Sequence, residues 1–173
     1  MRRAAAVLST AAMLMFAASV FAQGKPDFSG KWTPDAEKTA AANPAPPAGG
    51  GGGGGGRGGG GGGGRGGGPT GFELKQDATS LTRITEGQNG PMETKYTLDG
   101  QAHDVPMGQG TAKVTAKIDG ATIVVDQTQD MGGNSVTTHS VYSMDGDWLV
   151  IAQTRPGRNG GEPTTTKTYY KKG

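Results

Sequence analysis

The chain contains no cysteine. Disulfides are therefore excluded, as are a thiol nucleophile and lipid attachment through a lipobox cysteine, and the fold has to hold without covalent cross-links. Histidine is nearly absent too. His103 and His139 are the whole supply, and no Gly-x-Ser-x-Gly elbow is present to carry a serine nucleophile. No catalytic residue and no cofactor is assigned, and the reading is non-enzymatic. The best metal ligands on offer are those two imidazoles with the sulfur of Met107 or Met131. No spacing gathers three of them, so no metal site is assigned either. Asp126 and Asp130, with Gln127 and Gln129, are the carboxylates best placed for acid–base work, and a solvated strand edge accounts for them. Asp145 and Asp147 flank Gly146, where turn chemistry explains them.

Long apolar runs are scarce outside the first segment. Met1-Arg2-Arg3 is a short basic head, Ala4 to Val20 is small and apolar, and Val20-Phe21-Ala22 offers a cleavage site before Gln23. This pattern predicts a signal peptide over 1–22, removed on export to the periplasm or beyond, with no stable membrane insertion afterwards. Its removal leaves 151 residues, enough for one domain over 23–173. It also removes two of the 17 Lys and Arg, leaving 15 against 15 Asp and Glu. The basic balance of the whole chain therefore belongs to the leader, and a nucleic-acid partner is not expected.

Glycine is what the chain has in quantity. Residues 49–68 are 18 glycines with Arg57 and Arg65, inside a Pro/Gly/Arg-rich insertion at 43–69. Such a stretch buries no apolar surface, and glycine loses the most backbone entropy on ordering, so the composition predicts a disordered loop of about 25 Å end to end. Two arginines without interleaved aromatics are too sparse for an RNA-binding segment.

The rest reads as strands. Asp-Gly pairs at 99–100, 119–120 and 145–146 each follow an alternating run, the strongest short-range signal of a hairpin. The spacing predicts an all-β, antiparallel up-and-down meander of about nine strands, with Gln101 to Gly110 irregular and one helical turn over Asp35 to Thr39. The expected inner face holds Phe28, Trp32, Phe72, Leu74, Leu81, Ile84, Tyr96 and Leu98. Val114, Ile123, Val125, Val136, Tyr142, Leu149, Ile151 and Tyr170 continue it. Closing the sheet into a barrel would remove edges that a Thr-rich meander leaves open.

Phe28-Ser29-Gly30-Lys31-Trp32, early in the chain and ahead of a meander, resembles the first barrel strand of lipocalin-like (calycin-type) proteins. With Asp27 and the Asp-Gly repeats, it is also similar to small exported bacterial proteins sharing Asp-Phe-Ser-Gly-x-Trp. The resemblance implies a barrel closed at one end by Trp32, with a late-strand arginine packed over that ring. Arg155 is the candidate, since the last strand holds only lysines. It further implies binding of a small apolar or amphipathic ligand in the barrel mouth, against Trp32, Tyr96, Tyr142, Trp148 and Leu149. The other reading is an envelope structural or protein-interaction module with a solid barrel and no ligand.

Overall fold

Two of the three Asp-Gly pairs make the hairpins that the sequence predicts. Gly120 and Gly146 take φ of +58° and +62°, the left-handed backbone that favours glycine. They join β6 (Gly110–Asp119) to β7 (Thr122–Met131) and β8 (Asn134–Asp145) to β9 (Trp148–Arg155). The third pair does something else. β4 (Gly90–Thr97) and β5 (Asp99–Met107) meet there, but they do not pair. Gly100 (φ +73°) turns the chain through a corner, and a register shift between Asp99 and Ala102 re-aims β5 onto β6. The stretch expected to be irregular, Gln101 to Gly110, is thus mostly β5, a tenth strand.

The computed structural model describes residues 25–44, 70–87, 90–107, 110–131, 133–157 and 161–173. The expected signal peptide and the Gly/Arg tract lie outside the described residues. The remaining elements are β1 (Gly30–Pro34), α1 (Ala36–Ala42), β2 (Phe72–Gln76), β3 (Ser80–Gly87) and β10 (Thr164–Lys172). All ten strands form one antiparallel sheet, ordered β4-β3-β2-β1-β10-β9-β8-β7-β6-β5, that curls into a nearly closed barrel.

β1 occupies the seam. Trp32 pairs with Phe72 on one side and Lys172 on the other. Beyond Pro34 the chain leaves the sheet, and α1 takes over the edge of β10. Asp35 caps the helix by accepting from the Lys38 N–H (2.8 Å). The Asp35 N–H donates to the Tyr169 carbonyl, and Thr39 Oγ1 accepts the Tyr169 N–H (3.0 Å). Asn43 then brackets Lys167, accepting its N–H and donating to its carbonyl. The backbone groups that β1 leaves unpaired are satisfied in this way.

The core is a single cluster on the concave face, and it contains most of the expected residues. Ile84 is a correction. It lies three residues from fully buried Leu81, an odd number, so alternation turns it to the other face. Val136 lies outside the cluster, half-buried, and Leu98 packs against its margin. Val105, Ala112 and Ala116 join from β5 and β6. Arg155 does not reach Trp32. It pairs with Thr164 at the other end of β10, while Lys172, the register partner of Trp32, holds its Nζ 5.8 Å from the indole centroid. Trp32 is 3 % exposed, and its indole N–H donates to the Phe28 carbonyl (2.9 Å).

Replacing Trp32 by Ala is expected to cost about 3–5 kcal/mol in urea unfolding; a change near zero would show that β1 contributes nothing to the fold. A second expectation concerns Asp77 in the β2–β3 turn, whose carboxylate accepts from the N–H and hydroxyl groups of Thr79 and Ser80. These bonds hold its pKa well below the usual carboxylate range. Their stabilisation is complete above the unfolded pKa of about 4 and is lost as pH falls through the lower folded value. The melting-temperature advantage of wild type over Asp77→Asn should therefore shrink below about pH 4; an advantage constant with pH would refute it.

Candidate functional site

The inner face of β3 follows from Leu81, which is fully buried. A strand returns to the same face every second residue, so Arg83 and Thr85 point into the barrel with it. Arg83 pairs with Leu74 on β2 and Thr94 on β4. Its guanidinium carbon lies 4.2 Å from the Phe72 ring centroid. Phe72 in turn meets Tyr170 edge-on, with centroids 4.8 Å apart. Arg83 Nε is buried and, among the described residues, has no hydrogen-bond partner. A buried donor left unmade costs about 1–3 kcal/mol, and more on a charged group. The aromatic face offsets part of this.

Three tyrosines share this cation. Burial pushes the Tyr96, Tyr142 and Tyr170 phenols up, and the Arg83 charge opposes that rise in each. All three stay protonated at neutral pH and can donate as well as accept. The interior thus brings a fixed positive charge together with neutral hydroxyls and aromatic walls, and among the described residues no carboxylate is buried with it.

Trp32, Tyr96 and Tyr142, expected to line a ligand site, all lie in the buried core. The indole N–H of Trp32 is already committed to Phe28. Trp148 stands elsewhere. Leu149 and Ile151 of β9 belong to the core, so alternation sends Trp148 to the outer face. There Lys38 of α1 rests between two rings, 4.6 Å from Trp148 and 4.8 Å from Tyr169, and 3.5 Å from Asp145. Arg83 was legible and missed: the two-residue step from Leu81 marks it as inward, whereas apolar character alone selects Ile84.

The remaining candidates are separated or self-satisfied. His103 accompanies Val114 on one face of the wall and bonds Asp99 (2.9 Å), while His139 is on the other face with Asp126 (2.6 Å). Asp126 and Asp130 point outward, and Gln127 and Gln129 inward, by the same alternation. Asp130 accepts from the Ser135 hydroxyl. An open outer cleft of about 490 Å³ is lined by Asp104, Thr111, Lys113, Thr128, Asp130 and Ser135. Its groups largely pair with one another or their neighbours, as in Asp104–Lys113 (3.2 Å) and Thr128–Thr137 (2.8 Å). Among the described residues no three metal-ligating side chains converge, and no helix is long and apolar enough to cross a membrane.

No protein-family model matches the chain, and no curated protein is similar to it. Two solved structures align with most of it. The secretory abundant heat soluble protein 4 of Ramazzottius varieornatus matches 86 % of this chain and 96 % of its own, at 21 % identity and a TM-score of 0.49. A structure described as the REP1-NXSQ fatty acid transporter matches 85 % of this chain and 96 % of its own, at 18 % identity and a TM-score of 0.51. The chain shares with the latter a nearly closed, lipocalin-like antiparallel barrel.

Proposed function

We propose that this is an exported, non-enzymatic binding protein that holds a small amphipathic ligand inside its barrel, with an anionic group of the ligand at Arg83. The observation that carries the reading is the buried guanidinium Nε without a partner. Folding gains nothing from an unneutralised interior cation, since apolar replacements of buried charges are often neutral or stabilising. A ligand anion supplies the missing acceptor, and charge-assisted bonds to arginine are the strong ones. Tyr96 and Tyr142 add hydroxyls and ring surface beside it, and Trp32 backs the site next to Phe72. The fold shared with a fatty acid transporter supports an interior site. Trp148 takes no part in it, because it faces α1 outside the barrel.

The test is Arg83→Met in the purified protein, read by titration with the anionic fluorophore 1-anilinonaphthalene-8-sulfonate and by thermal melting. Loss of a charge-assisted bond should weaken binding about tenfold or more, while the melting temperature holds or rises. A fall in melting temperature with unchanged binding would make Arg83 a structural residue and sink the proposal.

A further inference from the structure

The depth of the barrel can be read one transverse row at a time, because cross-strand register partners share a face. The row through Ile123, Tyr142, Ile151 and Thr168 is buried and mostly apolar. One step along, Val125 is followed by Ser140, Gln153 and Thr166. A further step gives Val114, Gln127 and Thr138. The interior on the β7–β10 side therefore changes from apolar to amide and hydroxyl within two rows. Gln127, Thr138, Gln153 and Thr166 are half-buried, not solvated side chains on an outer surface.

Resting on the interior reading above, we infer that the ligand is a compact aromatic carboxylate with a second polar group, and not a long-chain fatty acid. The carboxylate meets Arg83. The ring packs among Phe72, Tyr96, Tyr142 and Tyr170, where edge and offset contacts between rings are favourable. The second polar group reaches the Gln153 and Thr138 belt. A long alkyl chain runs past the short apolar rows and lies against those amides and hydroxyls, displacing their water and giving them no partner. Each polar group left unmade in this way is penalised. The gradient thus selects against the chain length that a purely apolar barrel would welcome.

Isothermal titration of the full chain with two probes, 4-hydroxycinnamate and hexadecanoate, tests this. 4-Hydroxycinnamate is expected to bind at least about tenfold tighter, the equivalent of one polar group left unpaired. In Gln153→Leu/Thr138→Val the preference should narrow or invert, because the belt becomes apolar. If that variant fails to fold, Thr166→Val is read in the same way. Tighter binding of hexadecanoate by wild type, dependent on Arg83, would overturn the inference while leaving the interior site standing. Binding of neither probe, with the fluorophore insensitive to Arg83→Met, would overturn both.

Discussion

The sheet is one sheet only because of β1. β4 and β5 are its two edges, and although they are consecutive in sequence they diverge at the Asp99–Gly100 corner. Without the five residues of β1, the strands fall into two groups, β2–β4 and β5–β10, with nothing hydrogen-bonded between β2 and β10. Trp32 is the centre of that join. Its neighbours in register are Phe72 and Lys172, and its ring fills the core beneath both seams. The barrel interior, and with it the placing of Arg83 opposite Tyr142 and Tyr170, follows from this one junction. The corner is also fixed from outside the two edge strands. The Leu98 N–H donates to the Thr79 carbonyl (2.7 Å), so the β2–β3 turn ties the point where β4 leaves and β5 begins.

Much of this was legible in the residues, and the exceptions have physical causes. Period-two alternation placed Phe72, Leu74, Tyr142 and Leu149 correctly, since a one-residue slip reverses every face. The same rule applied strictly would have turned Ile84 out and Arg83 in; hydrophobicity competed with periodicity and misled. Trp148 lies on the outer face for a related reason. It is large and adjacent to Leu149, but its partners are Lys38 and Tyr169 on a helix-covered outer face, and the helix arrives from more than a hundred positions away. β5 carries a weak strand signal because Pro106 and polar residues dilute its pattern. As an edge strand it tolerates a proline whose missing N–H no ladder requires. The Asp-Gly at 99–100 has the local chemistry of a hairpin, yet long-range pairing of β5 with β6 decides its geometry.

On the proposed reading, Arg83 illustrates how a binding site differs from a core. Every other large side chain around it is explained by packing: Phe72 against Tyr170, Leu74 and Leu81 fully inside. Arg83 Nε is, among the described residues, the buried side-chain donor left without a hydrogen-bond partner. Sites of this sort store the free energy that a ligand later recovers. The outer cleft between Asp104 and Ser135 has the opposite character, for its carboxylates, ammonium and hydroxyls are already engaged with one another. A concavity with satisfied walls has little to gain from an occupant.

The closing junction also sets a clock. Trp32 and Lys172 are register partners 140 positions apart, and the Gly173 N–H donates to the Lys31 carbonyl (2.8 Å). The hairpins from β6 to β9 are local and can form as soon as their residues exist, whereas the seam waits for the last strand to appear. Loop closure over that separation is entropically slow, and contacts of high sequence separation retard folding. A chain emerging from its amino end therefore carries Phe28 and Trp32 uncovered until β10 has been made. During that interval the aromatic pair is the surface on which a chaperone, or an unwanted neighbour, would first take hold.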